Sequence, residues 1–139
     1  MSADPDRHLD RRPAAAGPDP RRALGAAGEE LAAQHLSRLG YTLVDRNHRT
    51  RWGEIDIIAH VPGTLVFVEV KTRRASGRAG SPFDAVDPRK RAQVRRMAAA
   101  WLARVRDRPR AEDLRFDVIG VTVDAAGRLL ELEHREGVF

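Results

Sequence analysis

Asp56 and Glu69 are two carboxylates on neighbouring β-rich runs, and Lys71 follows Glu69 by two positions, on the same strand face. The runs, Glu54 to Val61 and Thr64 to Lys71, flank Pro62-Gly63, a hairpin signal. A four-residue tip, Val61 to Thr64, sets a register in which Asp56 opposes Glu69 and Glu54 opposes Lys71. Pro-Gly suits a type II turn rather than the favoured hairpin geometries, and a tip one residue shorter or longer would break that register. On the reverse face Ile55, Ile57 and Ala59 meet Val70, Val68 and Val66, six apolar residues that predict a core face. Carboxylates opposed on a half-buried sheet repel, so a lysine or a divalent cation must compensate. Magnesium takes one or two carboxylates and leaves its other positions to water and substrate phosphate. Asp56 and Glu69 suit that role, and Lys71 is placed to hold a phosphate or orient an attacking water. The chemistry implied is metal-assisted phosphodiester hydrolysis. A structural salt-bridge cluster of Asp56, Glu69, Lys71 and Glu54 is the alternative.

The basic residues sharpen this reading. Of 25, only Lys71 and Lys90 are lysines and the rest are arginines. A lysine retained under such a bias points to a compact ammonium rather than a planar fork. Lys90 lies four residues before Val94 and extends the apolar stripe of its helix, so both lysines are expected to point inward. In the first helix Glu29 falls on the flank of the apolar stripe, whereas Glu30 falls on the solvent side. If either acid reaches the sheet it is Glu29, with an ordinary exposed acid near the positive N-terminal end of the helix as the equal alternative.

Those residues need elements to position them. The 139-residue chain holds no cysteine, which excludes disulfides, thiolate metal sites and a cysteine nucleophile. Residues 1–20 mix proline, charge and alanine without period and read as a disordered tail, leaving 21–139 as a single domain. Arg21 to Leu39 shows helical spacing and is stopped by Gly40. Thr42 to Asn47 is a short strand ahead of the hairpin. Residues 72–87 show no period, and Asp87-Pro88 reads as an N-cap followed by proline at the first helical position. Val94, Met97, Ala98, Trp101, Leu102 and Val105 form that helix's stripe, and strands follow at Leu114 to Val123 and Leu129 to Glu133. The order α-β-β-β-α-β-β predicts an α/β fold, a mixed sheet covered by helices.

Charge is segregated along the chain. Between Lys71 and Arg110, 13 basic residues stand against 3 acidic ones, whereas the remainder holds 12 and 17. Basicity confined to one stretch favours a polyanionic partner, with an arginine-biased solvated helix face as the alternative. Arg73, Arg74 and Arg78 in the loop, and Arg89, Lys90, Arg91, Arg95 and Arg96 on the helix, would grip backbone phosphates without reading sequence. No apolar run approaches the ~18 residues of a membrane span, so a cytoplasmic, membrane-free location is expected.

Gly28-Glu29, Gly53-Glu54-Ile55-Asp56, Phe67-Val68-Glu69-Val70-Lys71 and Arg115-Phe116-Asp117-Val118 together resemble the YraN family of small bacterial proteins. That family is similar to archaeal Holliday-junction resolvases, within the PD-(D/E)XK nuclease superfamily. The likeness runs from about Leu24 to Val121 in order and spacing. It implies a restriction-endonuclease-like core, α-β-β-β-α-β. Glu29 matches the family's helix glutamate, Asp56 its metal-binding aspartate, Glu69 and Lys71 its E-x-K, and Lys90 its second-helix lysine. It further implies Mg²⁺ or Mn²⁺ held by Asp56, Glu69 and the Val70 carbonyl, with Glu29, Asp56, Glu69 and Lys71 as the catalytic set. The expected partner is nucleic acid, foremost DNA, and a homodimer would suit cutting both strands of a junction.

Two rivals remain, a non-catalytic nucleic-acid binder that keeps the fold and an adaptor whose basic helix meets an acidic protein. His8, His35, His48, His60 and His134 lack metal-ligand spacing. No glycine-rich GK[ST] loop is present. Trp52, beside Arg49 and Arg51, either packs at a strand edge or stacks on a base. Asp117, on a strand face with Ile119 and Val121, is expected to be a buried partner of an arginine rather than a ligand.

Overall fold

The computed structural model describes residues 19–75 and 87–139. Seven elements follow in the expected order: α1 (Pro20–Arg38), β1 (Thr42–Thr50), β2 (Gly53–Val61), β3 (Gly63–Arg74), α2 (Pro88–Arg104), β4 (Ala111–Val123) and β5 (Leu129–Arg135). The strands form one mixed sheet in the order β1-β2-β3-β4-β5, with β3 and β4 parallel and the other neighbours antiparallel. Asp19 and Pro20, expected in the tail, begin α1: the Asp19 side chain accepts the Arg21 N–H and the proline takes the first turn. At the other end Gly40 adopts φ +90° while Tyr41 N–H bonds Leu36 C=O and Gly40 N–H bonds Ser37 C=O, a Schellman stop. Asp87 caps α2 through the Lys90 N–H at 2.8 Å, as expected.

One helix covers each face of the sheet. Under α1, Ala32, Ala33 and Leu36 pack on Ile57, Ala59, Val66, Val68, Ile119, Val121 and Val123. Under α2, Val94, Met97, Ala98 and Trp101 pack on Ile55, Ile58, Leu65 and Phe67. Trp101 is fully buried, and its indole N–H donates to Asp45 Oδ2 at 3.0 Å. No helix among the described residues is long and apolar enough to cross a membrane.

The hairpin register holds near the tip and fails beyond it. Val61↔Thr64 through Ile57↔Val68 pair as expected, with Gly63 at φ +84° in the left-handed position a Pro-Gly tip demands. Past Ile57 and Val68 the two strands separate. β2 continues with β1 and β3 continues with β4, so Asp56/Glu69, Ile55/Val70 and Glu54/Lys71 are not ladder pairs. Ile55 also leaves the face it was expected to share with Ile57 and joins the core under α2. The aperiodic stretch expected over residues 72–87 does not begin at 72, because Thr72, Arg73 and Arg74 extend β3 along Val121, Thr122 and Val123, and its residues 76–86 lie outside the described residues.

Asp117 is fully buried, as expected of an arginine's partner. Arg115 meets it with two hydrogen bonds, Nε to Oδ1 at 2.9 Å and Nη2 to Oδ2 at 2.8 Å. His134 Nε2 adds 2.8 Å to Oδ2, and the Gly137 N–H donates to Oδ1 at 3.0 Å. Burial pushes this carboxyl up, and the bonds from His134, Arg115 and Gly137 outweigh it to hold the group below its ordinary range.

Candidate metal centre

The separation of β2 from β3 opens the place where the acidic residues gather. Asp56 stands at the split, and its Oδ2 accepts the Val70 N–H at 2.8 Å, so a side chain substitutes for the lost ladder bond. Glu29 reaches it from α1 and Glu54 from β2, and one oxygen of each of the three carboxylates lies within 4.8 Å of the others. Gly28 makes this approach feasible: a Cβ there would stand 1.8 Å from Thr72 Oγ1, so only glycine lets α1 sit this close to β3.

Glu69 faces the other side of the split. Its Oε1 lies 2.9 Å from Lys90 Nζ and 3.2 Å from Lys71 Nζ. Both retained lysines thus converge on one carboxylate, Lys90 from the first turn of α2. The expected Glu54–Lys71 pairing does not occur, because Glu54 pairs with Arg49 at 3.6 Å and Lys71 turns to Glu69. A cleft joins the groups, with Glu54, Asp56, Glu69 and Lys90 on its polar side and Val94, Met97 and Phe139 on its apolar side.

Desolvation by burial pushes the Asp56 carboxyl up to about 7, and Glu29, Glu69 and Glu54 push the same way against the Val70 hydrogen bond. Glu29 is raised too, chiefly by burial and then by Glu54. Burial is the larger cause at both groups, and the neighbouring carboxylates add to it. An all-oxygen set of three gathered carboxylates fits a hard divalent cation such as Mg²⁺ or Mn²⁺. Val70, whose carbonyl the family likeness implies as a ligand, touches Asp56 through its N–H.

Asp56, Glu69 and Lys90 therefore line one cleft, whereas Glu29 is joined to it only through Glu54 and Asp56, and Lys71 only through Glu69. Arg89, Arg91, Arg95 and Arg96 are exposed on α2. Arg73 and Arg74 are strand residues instead: Arg73 Nε donates to Thr122 Oγ1 at 3.1 Å, and Arg74 Nη1 to the Ala125 carbonyl at 3.3 Å. Arg78 lies outside the described residues. Two participants were missed from sequence. Glu54 was assigned to Lys71 by carrying the hairpin register too far. Asn47 was read only as a strand end, although asparagine's tolerance of left-handed backbone was the available signal. Among the described residues the three-carboxylate group contains no histidine, and His35 and His134 bond each other at 3.2 Å. Trp52 packs against the α2 core with Arg51 over its ring at 4.4 Å.

The chain is 50% identical over 117 residues to a UPF0102 protein of Mycobacterium avium, covering 83% of this chain and 88% of that one. It is 51% identical over 102 residues to one from Geobacter sulfurreducens (72% and 76% covered) and 44% identical over 116 residues to one from Alkaliphilus oremlandii (84% and 97%). The model of the uncharacterised protein family UPF0102 matches residues 28–121, the span from Gly28 beside the acidic cluster to Val121 in the core. The chain belongs to the UPF0102 family.

Proposed function

We propose that this protein is a Mg²⁺- or Mn²⁺-dependent endonuclease that hydrolyses phosphodiester bonds in DNA, branched DNA included. The observation that carries the reading is the convergence of Glu29, Glu54 and Asp56 within 4.8 Å, beside a Glu69 held by Lys71 and Lys90. The resemblance to the PD-(D/E)XK nucleases supports it independently. Asp56, Glu29 and Glu54 would hold the cation, with Glu69 across the split. Bound there, the cation supplies an acidified water and neutralises charge on a phosphate. Lys71 and Lys90 bring two ammonium groups to the same edge of the cleft, where they stabilise charge developing on a scissile phosphate. The exposed arginines of α2 add affinity for the backbone without sequence readout.

The engagement of both lysines with Glu69 favours a second reading, a nucleic-acid binder in which this triad is purely structural. One experiment separates the two. The protein is incubated with Mg²⁺ or Mn²⁺ and duplex, single-stranded, flap or four-way-junction DNA. Metal-dependent cleavage that Asp56→Asn abolishes supports the nuclease. Salt-sensitive binding without cleavage of any substrate supports the binder.

A further inference from the structure

Three carboxylates within 4.8 Å of one another push apart, so a cation that needs all three requires something to hold them before it arrives. Asn47 stands at the rim of the cluster, between two of them. One atom of its carboxamide lies 2.8 Å from Glu29 Oε2 and 2.9 Å from Glu54 Oε1. An oxygen there would face only acceptors, so the atom is the nitrogen, and each of its two hydrogens goes to one carboxylate. α1 and β2 are thereby clasped together by a side chain from β1.

The backbone of the same residue is unusual. Asn47 has φ +52°, the only positive φ outside glycine among the described residues. The β1–β2 register runs from Arg46↔Ile57 to His48↔Ile55, passing over Asn47 and Asp56. The left-handed residue therefore sits across from the point where Asp56 leaves the regular ladder.

We propose that Asn47 is a positioning residue of the metal centre, its carboxamide fixing the separation of Glu29 and Glu54 and its left-handed backbone aiming Asp56 at them. This rests on the metal-centre reading above. Asparagine joins two N–H donors on a short side chain to easy access to left-handed backbone. Glycine and aspartate share the backbone freedom and lack the donors, while glutamine has the donors without the backbone fit.

The test is a Mn²⁺ titration of the full chain by calorimetry, with Asn47→Gly and Asp56→Asn beside the wild type. Asn47→Gly keeps the backbone and removes the clasp, so Mn²⁺ affinity should fall by about ten- to a hundredfold, the usual cost of losing a residue that orients metal ligands. Asp56→Asn should bind no Mn²⁺. If Asp56→Asn loses binding while Asn47→Gly binds like the wild type, the positioning role is overturned and the metal centre stands. If Asp56→Asn binds as well as the wild type, the metal centre itself falls, and the role of Asn47 with it. Should Asn47→Gly fail to fold, the wild-type carboxamide carries the test. Its two side-chain amide protons should shift in NMR spectra along the Mg²⁺ binding curve, and unmoved protons at saturating Mg²⁺ overturn the proposal.

Discussion

Asp56 accepts the backbone N–H of Val70 at 2.8 Å, across a gap where their two strands no longer pair. That single bond closes the sheet at the top of the split and holds a carboxylate against the edge of both cores. The arrangement stabilises the ionised form, yet burial and the neighbouring acids prevail and raise the carboxyl to about 7.

The first prediction follows from that value. Unfolded, Asp56 loses its proton near the ordinary aspartate range; folded without metal, it keeps it until about pH 7. Between those limits the native state binds the extra proton, so stability should fall as pH rises through this window. Asp56→Asn removes the dependence and should raise the melting temperature of the metal-free protein at pH 8. Thermal unfolding at pH 5 and pH 8, with chelator present, checks this; a variant less stable than wild type at pH 8 contradicts it.

Cation binding should show the mirror image. The ligand must be deprotonated, so binding below pH 7 releases about one proton and weakens about tenfold per pH unit. Calorimetry in buffers of different ionisation enthalpy counts that proton directly.

Lys71→Arg separates a catalytic ammonium from a mere positive charge. The ion pair to Glu69 and the fold should survive, since the charge remains. A guanidinium is longer and planar and grips Glu69 as a fork, competing with the cation. Cleavage should drop by about two orders of magnitude, the scale of losing one electrostatic stabiliser. Unchanged DNA affinity with lost cleavage is the expected pattern in paired binding and rate assays.

Gly28→Ala tests the close approach of α1. The new methyl would collide with Thr72, whose Cβ lies 2.7 Å away in addition to its hydroxyl. Moving the helix outward should cost about 1–3 kcal/mol, the usual scale of overpacking. Because Glu29 travels with that helix, Mn²⁺ affinity should fall along with stability, whereas overpacking remote from the cluster would change stability alone.

Removing charge from Arg91, Arg95 and Arg96 together, by alanine, should weaken DNA binding similarly across sequences. The slope of log affinity against log salt should flatten by about 0.9 for each duplex phosphate that these side chains cease to neutralise. An unchanged slope would exclude this face of α2 from the interface.

Much of the fold was legible because it depends on local signals. Asp87-Pro88, the stripe from Val94 to Val105 and the Pro62-Gly63 tip each act within a few residues, and each appears where expected. Lys90 was placed inward by the same stripe and meets Glu69. What the sequence hid was where the hairpin ladder ends. β2 pairs with β3 only as far as Ile57↔Val68, while β3 runs on along β4 residues more than forty positions away, and no local signal carries either fact. Glu54 was misassigned for that reason, and Asn47 went unread because its effect requires Asp56 across the ladder.

The parallel join of β3 to β4 also divides the site between two parts of the chain. Glu29, Asn47, Glu54, Asp56, Glu69 and Lys71 all belong to α1 and the β1-β2-β3 meander, whose antiparallel contacts close short loops. β4 must travel past the whole of α2 before it can dock, and that closure is entropically dearer and slower. The acidic half of the cleft is therefore supplied by the chain before the long crossover, and Lys90 by the crossover helix itself. The connection that makes the sheet mixed thus also delivers an ammonium to the carboxylate beside it.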